Sequence, residues 1–137
     1  TVAPRRERVA SSHVQRGAAR QLHCPAPALG SAKGGVVVVL RGALAFFTFD
    51  EQGRVEECLE VRAGGPVFGV DLEPGVYHTF VALEPDTVVF EVKSGPYSPA
   101  TDKAFPEWAP REHSQGSSKY LAWLKAVFAQ RSSTKSA

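Results

Sequence analysis

Between Val36 and Lys93 the chain is divided by turn residues into short apolar or alternating runs, and this punctuation leaves little choice of architecture. "VVVVLR" (36–41) is a continuous β-branched run, and "ALAFFTFD" (43–50) follows directly after Gly42. "DEQGRV" (50–55) reads as a hairpin turn, and "VEECLEV" (55–61) alternates as a strand should. "RAGGP" (62–66) turns the chain into "VFGVDL" (67–72), "EPG" (73–75) turns it again, and "EPD" (84–86) leads into "TVVFEVK" (87–93). No helical pattern interrupts the series, so a parallel sheet with crossover helices is excluded. What remains is an antiparallel sandwich or barrel.

The flanks read differently. Residues 1–35 are rich in Arg, Ala, Pro, Ser and Gly without a clear period, and are expected to be irregular, with a short strand near Arg20–Cys24. Residues 94–137 begin with "SGPYSPATDKAFPEWAPRE", whose prolines and aromatics predict an irregular segment wrapping the sheet, with Tyr97, Phe105 and Trp108 capping one end of the core. From about Ser117, with Ser117 or Ser118 as N-cap, Tyr120, Leu121, Leu124, Val127 and Phe128 recur at i, i+3 and i+4. A helix packed on the β body is expected there, with "SSTKSA" as a frayed tail. The reading is therefore one domain in three parts: an N-terminal segment 1–35, a β core 36–93, and a wrapping segment and helix 94–137.

Charge and cysteine usage exclude several classes. The net charge is +2 and is concentrated at Arg5, Arg6, Arg8, Arg16 and Arg20. Without interleaved aromatics this reads as a solvated tail, not a nucleic-acid surface. No apolar run approaches the ~18 residues of a membrane span. Cys24 and Cys58 form no CxxC pair and no disulfide framework, so a reducing, cytoplasmic setting is expected, with Cys58 a small packed side chain. The chain contains no methionine, so the natural N-terminus is expected to lie outside this sequence.

One residue stands out within the β pattern. In "LEPGVYHTFVAL" (72–83), Val76, His78, Phe80 and Ala82 share one face of a strand, with Tyr77, Thr79 and Val81 on the other. An imidazole on the apolar face is either a satisfied core polar group or a grip on something held inside the sheet. Glu91 and Lys93 also share a face, opposite Val88, Phe90 and Val92. They read as a solvated ion pair or as part of a pocket. His13 and His113, in polar contexts, read as surface residues, and Asp102 and Lys103 as turn charges.

"KGGVVVVLRGALAFFTFDEQGRV", "GVDLEPGVYHTFVAL" and "VFEVKSGPYSPATDKAFPEWAP" resemble consecutive blocks of the WbuC family of cupin-fold metalloproteins, from about Lys33 to Pro110 and on into "YLAWL". The resemblance implies a mainly β fold: a cupin-type double-stranded β-helix, or jelly-roll barrel, with a C-terminal α-helix. Such barrels hold one divalent metal ion, here Fe, Mn, Ni, Co or Zn, by two histidines in His-x-His, a glutamate a few residues on, and a histidine after a Pro-Gly turn. Imidazole and carboxylate donors suit those ions.

Residue by residue, His78 after Pro74-Gly75 matches the last ligand and His23 the first. Pro25 stands at the second histidine and Gly35 at the glutamate, and this departure argues against metal occupancy. Cys24 points away from His23 on a regular strand and substitutes only at a bulge.

The resemblance carries an association with surface polysaccharides, which implies a small polar metabolite such as a sugar or nucleotide sugar. Three readings follow: a metal-dependent enzyme; a non-metal barrel that binds a small ligand, with Tyr77, Glu91, Lys93, Tyr97 and Trp108 around the pocket beside His78; or an assembly protein. A homodimer is expected, with no nucleic-acid or membrane partner.

Overall fold

The computed structural model describes residues 10–17, 26–27, 34–94, 106–110 and 114–135. Eight strands and one helix are present among them: β1 (Ala10–Gly17), β2 (Ala26–Pro27), β3 (Gly35–Arg41), β4 (Ala43–Phe49), β5 (Val55–Arg62), β6 (Gly69–Leu72), β7 (Tyr77–Ala82), β8 (Thr87–Ser94) and α1 (Gln115–Lys135). They form two four-stranded sheets, ordered β1-β8-β3-β6 and β2-β7-β4-β5. Every pairing is antiparallel. After β3 the chain passes to the second sheet for β4 and β5, returns for β6, crosses again for β7, and returns for β8. That alternation between two facing sheets makes a jelly roll.

The pleat decides which side chains enter the space between the sheets. On β4, Leu44 and Phe46 pair with Val61 and Leu59 of β5 and with Ala82 and Phe80 of β7. They pack with Val37, Val39, Leu72 and Val89 of the other sheet as the inner core. Ala45, Phe47 and Phe49 take the opposite face, where Val81 and Leu124 of α1 join them in a second cluster. Both faces of β4 are therefore covered, which is why "ALAFFTF" is continuously apolar instead of alternating. Phe46 and Phe47 are 2% and 0% exposed, and each contributes about 1.5–3 kcal/mol by burial.

The helix begins at Gln115, two residues before the expected start, with Ser114 preceding it; the Ser117 amide and hydroxyl both donate to the Ser114 carbonyl. It also continues through Ser132–Lys135, where fraying is expected from sequence. Two bonds support that last turn: the Ser133 and Thr134 hydroxyls donate to the carbonyls of Ala129 and Gln130. No helix among the described residues is long and apolar enough to cross a membrane.

The N-terminal segment departs from expectation more. Residues Ala10–Gly17 are a strand, although the sequence there lacks a β pattern. β1 pairs along its whole length with β8, from Ala10 opposite Ser94 to Gly17 opposite Thr87, so the main chain supplies what side-chain periodicity does not signal. The strand expected near Arg20–Cys24 lies outside the described residues.

Candidate functional site

The two ends of the barrel differ in chemistry. One is closed by apolar packing and by the Thr87 hydroxyl, which bonds the carbonyls of Ala43 (3.1 Å) and Glu84 (2.8 Å). At the other, β3 begins, β8 and β6 finish, and the residues between Leu72 and Tyr77 carry the chain from one sheet to the other. Register places the inward residues there: Gly35 lies between Leu72 and Lys93, Val37 between Val70 and Glu91, and Thr48 opposite His78. This end holds the inner polar groups His78, Thr48, Glu91 and Lys93, with the exposed Glu57 opposite Thr48 on the edge strand β5.

His78 is 8% exposed and stacks on Phe46, with ring centroids 5.8 Å apart and 15° between planes. Its Nδ1 lies 3.0 Å from the Val76 carbonyl oxygen. A carbonyl can only accept, so Nδ1 is the donor in this contact. Val76 lies two residues before His78, so this contact is local to the start of β7. The contact bears on the first of the two sequence alternatives: His78 is a core imidazole with a hydrogen-bond partner.

Glu91 reaches the same end from the facing sheet. Its side chain is 7% exposed, and Oε1 lies 3.2 Å from the Lys93 ammonium, whose side chain is 40% exposed. The pair is thus graded from buried anion to solvent-reaching cation. A buried carboxylate is tolerated only with such a partner. The β1 register sets His13 opposite Glu91, so its backbone is part of a strand and not of an irregular segment.

Tyr77 and Trp108 do not join this group. Pleating sends Tyr77 to the outer face, where it meets Trp108 edge-on with centroids 5.6 Å apart. Trp108 also packs on Phe49 at 5.3 Å and donates its indole N–H to the Glu51 carbonyl. These two aromatics fasten the 106–110 segment to the β4–β5 hairpin, in the layer beneath α1, and Trp108 does not cap the barrel core. His23, Cys24, Pro25 and Tyr97 lie outside the described residues. Cys58 is half-buried against the outer cluster, as a packed side chain should be.

The described donors do not by themselves make a divalent-metal site, and the candidate ligand His23 lies outside them. Among the described residues no three of His, Cys, Asp and Glu gather where an ion could sit. Gly35 faces inward without a side chain, and a Cβ there would lie 3.0 Å from the Val92 carbonyl oxygen and 3.5 Å from Lys93 Cγ. The lysine stem thus runs over the glycine, and a cation already accompanies Glu91. Sequence reasoning found Glu91 and Lys93 by their shared face. It missed the Gly35–Lys93 contact, whose partners are far apart along the chain, and the Val76 carbonyl, which is only two residues from His78 but whose direction depends on the folded backbone.

No family model and no curated protein sequence matches the chain. Solved structures do. ChmJ, a 3'-monoepimerase from Streptomyces bikiniensis in complex with dTDP-quinovose, superposes with a TM-score of 0.60 at 20% identity over 90% of this chain and 78% of its own. NovW, a 4-keto-6-deoxy sugar epimerase from Streptomyces spheroides, gives 0.57 at 19% identity over 68% and 49%. A 3,4-ketoisomerase from Helicobacter canadensis gives 0.56 at 7% identity over 84% and 74%. The chain spans about half the length of some of these proteins: 49% of NovW, and 50% of ChmJ in its dTDP complex. The fold is a cupin-type double-stranded β-helix, mainly β with one C-terminal helix.

Proposed function

We propose that this chain is a cupin that takes a nucleotide sugar at the polar end of its barrel and exchanges a proton with the sugar through His78, without a metal ion of its own. The observation that carries this reading is the His78 imidazole, buried at that end with its Nδ1 donating to the Val76 carbonyl. Epimerisation and ketoisomerisation of a keto sugar share one elementary step. A base removes a proton from the carbon next to the carbonyl, the bond electrons pass to the carbonyl oxygen as an enolate, and the proton returns on the other face or at another carbon. An imidazole that donates through Nδ1 presents, in its neutral form, Nε2 as the atom that would accept that proton. Similarity to dTDP-sugar epimerases and ketoisomerases supports the substrate class. So does the WbuC resemblance over residues 33–110, through its association with surface polysaccharides.

The test is deuterium uptake from D2O into a dTDP-linked 4-keto-6-deoxy sugar, followed by mass spectrometry. Wild-type chain should catalyse uptake. His78→Asn should still bind the nucleotide sugar but lose uptake by about 10²–10⁴-fold, the usual contribution of a general base. Equal uptake in the variant overturns the reading. The binding-only alternative is favoured by Gly35 at the position where the resemblance expects a carboxylate. The same experiment separates it, since binding without uptake in the wild type selects the binding module.

A further inference from the structure

A barrel end that takes a nucleotide sugar has to meet two or more phosphate charges, and the nucleotide-sugar reading leaves that task unassigned. We propose that Lys93 is the residue that recognises the phosphate of the ligand, sharing its ammonium between that phosphate and Glu91. The inference rests on the nucleotide-sugar reading. Among the described residues whose side chains face inward by register, Lys93 is the one lysine or arginine. It stands at the last inward position of β8, so its ammonium lies between the buried carboxylate and solvent, and its side chain is 40% exposed where that of Glu91 is 7%. An ammonium has three donors. Glu91 Oε1 at 3.2 Å takes one, and the exposed side offers the others to an oxyanion arriving from solvent.

The glycine opposite serves the same arrangement. The Lys93 stem lies across Gly35, with its Cγ 3.5 Å from where a Cβ would be, an ordinary contact distance. A Cβ there would be tight only against the Val92 carbonyl oxygen, at 3.0 Å. The chain thus places a covalent cation at its polar end, where it draws a phosphate in and holds a free divalent cation off. Glu91 limits how strongly Lys93 can bind, since two anions compete for one ammonium. Removing the carboxylate charge should therefore tighten phosphate binding, whereas a purely structural ion pair would respond with a loss of stability and no gain in affinity.

The experiment is calorimetric titration of the whole chain with dTDP, with circular dichroism on each variant to confirm the fold. Lys93→Met should weaken dTDP binding by about tenfold or more, near 1.4 kcal/mol. Lys93→Met leaves Glu91 buried without a cation and could unfold the end, so the double variant Glu91→Gln/Lys93→Met, which keeps that end neutral, should show the same loss. Lys93→Arg should stay within about threefold of wild type, because the charge is kept. Glu91→Gln alone should bind more tightly than wild type. If the double variant binds dTDP as wild type does, or if Glu91→Gln binds no better, Lys93 is not the phosphate contact, and the nucleotide-sugar reading stands without it. Failure of wild type to bind either dTDP or a dTDP-sugar overturns both.

Discussion

Gly53 and Gly75 hold nearly the same left-handed backbone, with φ of +83° and +84°, in opposite surroundings. A Cβ on Gly75 would meet nothing within 4 Å, whereas one on Gly53 would lie 2.5 Å from Trp108 Cδ2. Gly75→Ala should therefore cost only the backbone penalty of about 1–2 kcal/mol in chemical denaturation. Gly53→Ala should cost clearly more and shift the Trp108 fluorescence, because the indole has to leave the hairpin. Equal losses at both positions would mean that Trp108 does not press on the turn. His78 shows how far residue-level reading reaches. Its inward face and the Pro-Gly turn before it are visible in "LEPGVYHTFVAL". The Val76 carbonyl that Nδ1 meets is only two residues back, yet its direction is set by the folded backbone and not by the residue pattern.

At the scale of elements, the β4–β5 hairpin and the docking of α1 make separable claims. Asp50 Oδ1 accepts from the amides of Gln52 and Arg54, and Oδ2 meets the Arg54 guanidinium at 2.6 Å. The Arg54 amide first, and then its guanidinium and the Gln52 amide, hold the Asp50 carboxyl below its ordinary value. A depressed carboxyl stabilises the fold at pH values above its ordinary value and loses that contribution as pH falls below about 4. An acid titration of stability should show a component there that Asp50→Asn removes. On the helix, Leu124 is fully buried between α1 and the second sheet, and the Arg131 guanidinium donates to the carbonyls of Val55 and Glu56 near the start of β5. Leu124→Ala should cost about 2–5 kcal/mol, and Arg131→Ala about 1 kcal/mol. Thermal melts followed at 222 nm test both, and a silent Leu124→Ala would show that the helix is not anchored through that side chain.

For the molecule as a whole, the consequence of the fold is that its two cores share a strand. Leu44 and Phe46 belong to the inner cluster, and Ala45, Phe47 and Phe49 to the outer one. Neither layer can open without exposing one face of β4, so barrel and helix should unfold together. Far-UV dichroism and tryptophan fluorescence are expected to give coincident denaturation curves, as in a two-state domain. Separated transitions would show that α1 and the 106–110 segment detach while the barrel persists.

The sequence by itself determined the local geometry and the class of fold. Period-two alternation, β-branched runs and Gly/Pro punctuation place β3 to β8, and the i, i+3, i+4 stripe places α1, because these signals depend only on which way neighbouring side chains point. It also determined that His78 faces one way and Tyr77 the other. The tertiary structure decided what those faces meet. β1 could not be read from Ala10–Gly17, because its pairing with β8 is made by the main chain, which carries no residue signature. That Tyr77 and Trp108 sit beneath the helix, away from His78, depends on which sheet face α1 covers. Gly35 likewise acquires a role only when β8 lies beside β3 and the Lys93 stem crosses it. Such contacts join residues distant in sequence, and their chemistry is set by which strands become neighbours, a choice made by burial of the two cores as a whole.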